Sequence, residues 1–191
     1  MVKRLNYQIF ESINQLALKN RIMDDIMIFS SKVLPYLMVL LICAAFMYGI
    51  LHHDAASRKN AVTTALLIVV NLAINFLLGC FIYVPRPFVD HKVNLLFTHK
   101  IDSSFPSDHA TFTMSTAVGL MRVGRILGWI CVFLSLLVGF SRIYVGHHYP
   151  LDVLGSYLIV IVTNALFHRF FEKKFTSLYF RADDRIFGRS K

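Results

Sequence analysis

Two arginines, three histidines and two aspartates crowd three short stretches of a chain that is otherwise strongly apolar. The stretches are 85-PRPF-88, 105-FPSDH-109 and 141-SRIYVGHHYPLD-152. Arg86 and Arg142 are suited to gripping a tetrahedral oxyanion, because a planar guanidinium bonds two oxygens at once. His109, His147 and His148 offer groups that gain or lose a proton near neutral pH, and Asp108 and Asp152 offer charge to orient them. A charged side chain near membrane depth costs about 2.5–3.5 kcal/mol on insertion scales, so such residues are usually kept for a site. The set reads as an anion-binding site with acid–base groups.

The elements that must position it are helices in a membrane. Of 191 residues, 56% are apolar, and the mean hydropathy is +0.58. A soluble domain of this length has too much surface to hide that much apolar side chain, whereas lipid covers the outside of a membrane protein. The fold class expected is an all-α integral membrane bundle forming one domain over residues 1–191. About five spans are predicted: 33–51 with added length from 26–31 and a kink at Pro35, then 61–84, 106–121, 124–144 and 150–167. Residues 5–18 place Leu5, Ile9, Ile13 and Leu16 at helical spacing, an amphipathic helix at the interface without the features of a cleavable signal peptide. The tail from His168 is polar and basic enough to stay in water or on the headgroups. Pro106 and Pro150 read as first-turn prolines, each followed two residues later by an aspartate, so the two helices are expected to start alike.

Five spans place the 85–105 and 141–149 segments on one side with the N-terminus. The excess of Lys and Arg falls on the other side, with the tail, and so directs the three stretches outward. The +9 net charge is spread between and after apolar runs rather than gathered with aromatics on a soluble face, which argues against nucleic acid as a partner. Cys43, Cys80 and Cys131 are odd in number and far apart, and read as packing residues rather than as a disulfide or metal set.

The three stretches together resemble the type 2 phosphatidic-acid phosphatases, relatives of the vanadium haloperoxidases. Their motifs are Lys, six residues, Arg-Pro; then Pro-Ser-Gly-His; then Ser-Arg, five residues, His, three residues, Asp. Arg86-Pro87 fits the end of the first, Pro106-Ser107-Asp108-His109 the second apart from Asp for Gly, and Ser141-Arg142, His148 and Asp152 the third. The resemblance spans roughly residues 60–168, and PRPF, FPSDH and GFSRIYVGHHYPLDVLG look most like the bacitracin-resistance branch, the undecaprenyl-diphosphatases. Position 79, where the motif lysine belongs, is Gly79; Lys92 and Lys100 are the loop cations to weigh as its replacement.

The resemblance implies a phosphatase of polyprenyl diphosphate lipids at the outer face of the cell membrane, working without cofactor or metal, with another membrane lipid such as phosphatidic acid or phosphatidylglycerophosphate as the alternative substrate. His148 would be the nucleophile and form a phosphohistidine, and Asp152 would hold its far nitrogen. His109 would protonate the leaving lipid phosphate and then activate water. Arg86, Arg142 and Ser107 would hold phosphoryl oxygens, with Pro106, Asp108, Ser141 and His147 completing the substrate side. For Asp152 the plain alternative is a helix cap, and for Asp108 either a cap or a carboxylate that tunes His109. Asp90, His91, His99 and Asp102 read as solvated loop, and Asn71 and Asn75 as interhelical hydrogen-bonders. Two other classes stay in view. One is a metal-dependent hydrolase with His109, His147, His148 and Asp152 as ligands; the other is a transporter, which requires charge at mid-membrane.

Overall fold

A computed structural model of the chain describes residues 1–187, so residues 188–191 of the tail and of the expected domain lie outside the described part. The helices in chain order are α1 (Val2–Asn14), α2 (Arg21–Lys32), α3 (Leu34–Leu51), α4 (Ala55–Phe81), the single turn α5 (Pro87–Asp90), α6 (Asp108–Leu120), α7 (Arg125–Tyr144) and α8 (Pro150–Leu166). A π-helical turn at Phe167–Phe171 then leads into α9 (Glu172–Phe187). Among the described residues there is no strand.

Helix α6 is the axis, packed against α3, α4, α7 and α8. Its buried side chains are mostly small or hydroxylic, including Ala110, Thr111, Thr113, Ser115, Ala117 and Gly119. Small residues let helix backbones approach closely where hydrophobic burial gives no net drive in lipid. At Gly119 the approach is close enough that a Cβ would overlap the Thr64 side chain. Asn71 and Asn75 of α4 behave as the sequence implied. Asn71 donates to Ser115 of α6 at 2.9 Å and accepts from Thr163 of α8 at 2.6 Å, while Asn75 donates to Thr111 of α6 at 2.8 Å.

Four helical stretches are long and apolar enough to cross a membrane: Leu34–Leu51, Ala55–Phe81, Arg125–Tyr144 and Pro150–Phe187. The expected span at 106–121 is shorter than predicted. With 13 residues, α6 covers about 20 Å against about 30 Å of hydrocarbon. It needs no full length of its own, because irregular backbone at depth is tolerated where protein rather than lipid surrounds it. Large apolar side chains such as Phe76, Trp129, Phe133 and Leu158 face outward, as lipid requires.

Several boundaries differ from the sequence reading, and the helix expected over 5–18 runs from Val2 to Asn14. Residues 26–31 do not lengthen the first span; they belong to α2, which ends at Lys32 with Val33 as its cap, and Pro35 opens α3 rather than kinking it. Helix α4 starts six residues earlier than expected. Asp54 caps it by accepting from the Ala56 and Ser57 N–H groups, a signal hidden in a polar turn. The tail is helical through Phe187 and folds back on the bundle, where Arg58 of α4 makes a fully buried ion pair with Asp183 of α9. Of the cysteines only Cys131 is buried; Cys43 and Cys80 are exposed on the outward faces of α3 and α4.

The fold has two polar ends. At one end, Asn14 of α1 donates to the carbonyls of Asn94 and Tyr144, and Asn6 accepts from the Leu151 N–H. This joins the N-terminal helices to the 82–107 loop and the α7–α8 turn. At the other end, Asn60 donates to the Arg122 carbonyl and Arg122 pairs with Glu172.

Candidate active site

The α7–α8 turn is built to present two histidines inward. Gly146 has φ of +90°, open to glycine without strain, and a Cβ there would crowd the Asn94 carbonyl and the Asn14 side chain. The turn lets the N–H groups of both His147 and His148 donate to the Arg142 carbonyl, at 3.0 and 3.2 Å, which closes the C-terminus of α7. Both imidazoles are thereby buried.

His148 has a defined tautomer. An Arg86 Nη1–H points at its Nε2 at 3.0 Å, and a guanidinium only donates, so Nε2 carries the lone pair. Its Nδ1–H donates to the Ser104 carbonyl at 2.8 Å. Burial, reinforced by Arg142 and Arg86, holds this imidazole neutral, with a pKa well below the ordinary 6.5. A neutral ring whose Nε2 keeps its lone pair is the form a nucleophile needs.

Asp152 stands one step further away than the direct contact expected. It is 3.8 Å from His148 Nδ1, and Ser104 lies between them, its Oγ donating to Asp152 at 2.5 Å. The same carboxylate oxygen accepts from the Tyr149 N–H at 2.8 Å, so Asp152 caps α8 and braces the His148–Ser104 contact together. Pro150 opens α8 as predicted. Pro106 does not open α6: it follows a cis peptide bond, Ser107 is the cap residue and Asp108 comes first in the helix. The two helices therefore start differently, which puts Asp152 in the third helical position and Asp108 in the first.

Asp108 neither caps α6 through its carboxylate nor touches His109. Its Oδ1 accepts from Asn75 Nδ2 at 3.0 Å. His109 faces a cavity of about 540 Å³, and among the described residues none hydrogen-bonds its ring. The same cavity is lined by Arg142, Asp108, His99, Ser31 and Lys32, with Tyr36, Val39, Leu72 and Phe112 forming an apolar wall. Arg142 is 1% exposed; Nη1 donates to Ser31 at 2.8 Å, while Nε and Nη2 have no partner among the described residues. Ser107 Oγ is likewise buried and unpaired, although the Ser107 N–H is taken by Ser156 at 2.8 Å. Two of the proposed substrate contacts have other work. Ser141 turns its hydroxyl to the Val138 carbonyl at 2.7 Å, and His147 donates from Nε2 to the Phe97 carbonyl at 2.9 Å.

The loop 82–107 contributes more than its polarity implied. Asp102 accepts from Arg86 Nε at 2.7 Å and aims the guanidinium at His148, and the His99 ring lies 4.8 Å from that of His147. Asp90 and His91 stay away from His148, beside Tyr7 and Tyr149. Ser104, Ser31 and Asp102 carried no motif spacing, and a serine two residues before Pro106 was the nearest available signal.

The PAP2 superfamily pattern matches residues 60–176. The chain belongs to the PAP2 superfamily. Over 187 residues it is 37% identical to "Undecaprenyl-diphosphatase BcrC" of Bacillus subtilis (strain 168), covering 97% of this chain and 95% of that one. It is 30% identical to "Bacitracin transport permease protein BcrC" of Bacillus licheniformis, over 95% and 91% of the two chains. Among solved structures, Aquifex aeolicus LpxE superposes with a TM-score of 0.70 at 25% identity, covering 87% of this chain and 96% of that one. With its apolar helices, this PAP2 protein is a multi-pass membrane protein. Every motif residue of the site falls inside the PAP2 match; Ser31 and Lys32 fall outside it.

Proposed function

We propose that the chain is an undecaprenyl-diphosphatase, a single membrane-embedded phosphatase unit that returns the diphosphate carrier lipid to its monophosphate. The observation that carries the reading is Arg142, a buried guanidinium with two unpaired nitrogens opening on an apolar-walled cavity shared with His109. A buried cation left unpaired is costly, so an anionic ligand belongs there. The apolar wall suits a lipid tail, and the full-length likeness to the Bacillus subtilis enzyme points to the polyprenyl diphosphate.

In this mechanism His148 Nε2 attacks the terminal phosphorus while the bond to the bridging oxygen breaks. His109 gives its proton to that oxygen, and undecaprenyl phosphate leaves. The phosphohistidine cation is held by the Ser104 carbonyl on Nδ1–H, with Asp152 behind it. His109, now neutral, takes a proton from water as the water attacks phosphorus; the P–Nε2 bond breaks, His148 returns to its neutral ring, and inorganic phosphate departs. Arg86, Arg142, Ser107 and the free N–H groups of the first turn of α6 hold the phosphoryl oxygens throughout. Such positioning and charge are what phosphoryl transfer chiefly needs, so no step calls for a metal ion. The site faces outward, and activity confers bacitracin tolerance by removing the lipid diphosphate which that antibiotic captures.

The relative named as a transport permease raises the transport alternative. A transport path calls for charge near mid-membrane, whereas here the charged groups gather at the two ends of the helices. Phosphate release by the purified protein, over a panel of lipid mono- and diphosphates with and without excess chelator, tests the reading. Wild type is expected to release phosphate fastest from the polyprenyl diphosphate, undiminished by chelator, and His148→Ala to lose at least about a thousandfold. An active His148→Ala protein refutes the mechanism. Equal rates across the panel refute the substrate, and loss of activity to chelator refutes metal independence.

A further inference from the structure

The phosphate site lacks the motif lysine, and the loop does not replace it. Lys92 and Lys100 are exposed and line none of the cavities described above. Gly79 opens instead on a separate cavity of about 270 Å³ beside Ser103, Asp102 and Arg86. Asp108 lines both cavities and so stands between them.

On the far side of Asp108 from Gly79, the larger cavity has its own cation. Lys32, the last residue of α2, is the one lysine on its wall among the described residues. The neighbouring Ser31 accepts from Arg142 Nη1, so α2 is tied to the phosphate-binding arginine. The Lys32 ammonium lies 4.1 Å from the Phe97 ring centroid, and that ring stands edge-on to His147 at 4.5 Å. Lys32 is itself exposed, at the mouth of the cavity, and this contact sets its ammonium beside the ring that packs on the buried His147. Beyond it the wall turns apolar, through Tyr36, Val39 and Leu72. From the buried end outward the cavity therefore presents Arg142, then His109 and Lys32, then hydrocarbon-like surface.

We infer that Lys32 is a specificity-determining residue that binds the second phosphate of a lipid diphosphate, the one carrying the hydrocarbon chain. The inference rests on the phosphatase reading above. With the terminal phosphoryl group against His148, Arg86 and Arg142, the leaving phosphate is displaced outward, toward His109 and the cavity mouth. A lipid monophosphate has no group there except its ester carbon. Lys32 thus contributes to a diphosphate and little to a monophosphate, while an arginine at 79 or a lysine there would act on the other side of Asp108.

The test compares kcat/KM for farnesyl diphosphate and farnesyl phosphate in detergent, using wild type, Lys32→Gln and Lys32→Arg. The expected result is that Lys32→Gln lowers the diphosphate-to-monophosphate ratio by about tenfold, the scale of one charge-assisted hydrogen bond, and that Lys32→Arg restores most of it. If Lys32→Gln slows both substrates equally, Lys32 merely supports Phe97 and the inference fails. If all three proteins show the same ratio and rate, it also fails. Wild type that releases phosphate from neither substrate defeats the underlying phosphatase reading instead.

Discussion

At the scale of single residues, the turn between α7 and α8 works by keeping its two imidazoles neutral. Burial lowers the pKa of His147 to about 2 and that of His148 well below 6.5, with Arg142 adding to both. The unfolded chain binds protons at these positions near pH 6.5 and the folded one does not. The stability from burying neutral rings is therefore fully present above pH 6.5 and is lost as the pH falls below it. The slope is at most about 1.4 kcal/mol per pH unit for each ring. Thermal unfolding of the detergent-solubilised protein should show Tm falling between about pH 7.5 and pH 5.5. His147→Gln keeps a donor for the Phe97 carbonyl and should make that fall shallower. A Tm equally steep in the variant would show that His147 takes up no part of the proton load. Ser104 illustrates the same economy of contact: its carbonyl orients His148 and its hydroxyl engages Asp152.

At the scale of elements, the N-terminal helices complete the site from outside the family's matched segment. Helix α1 is amphipathic, but the stripe its spacing marks, Leu5, Ile9, Ile13 and Leu16, is mostly exposed; the side that rests on protein carries Phe10, 1% exposed and edge-on to Tyr149. Asn14 fastens it, donating to Asn94 and Tyr144 carbonyls and accepting from the Asn94 N–H at 2.9 Å. Those bonds hold the loop that carries Phe97 and His99 against the turn that carries His147 and His148. Asn14→Ala leaves buried carbonyls unpaired and should cost about 2 kcal/mol of stability, read as a lower Tm, together with slower phosphate release. Unchanged Tm and rate would mean that α1 is only a passenger on the bundle.

At the scale of the whole molecule, charged residues gather at two ends and the sides are apolar, so the bundle has one way to sit in a bilayer but two directions. The tail end carries the buried Arg58–Asp183 pair and the exposed basic residues of α9, and the outward-facing site proposed above requires that end to lie in the cytoplasm. In a chain with its three cysteines changed to Ala, Thr98→Cys at the catalytic end should react with a membrane-impermeant maleimide on intact cells. Arg185→Cys at the other end should react only after lysis. Labelling of Arg185→Cys alone on intact cells would reverse the orientation.

The apolar runs, the first-turn Pro150 and the spacing of Ser141-Arg142, His148 and Asp152 were legible in the chain, because hydropathy and helix chemistry act locally along it. They determined a membrane-embedded helical protein that carries the motifs of the PAP2 superfamily. The ladder of bonds around them was not legible. That Ser104 stands between His148 and Asp152, that Asp102 aims Arg86, that Asn75 occupies Asp108, and that Ser31 brings α2 to Arg142 are contacts between segments from about 16 to 111 residues apart. No period or motif relates such positions. They meet because α6 is short and enclosed, which lets the loop before it descend among the surrounding helices, and only the packed bundle brings that about.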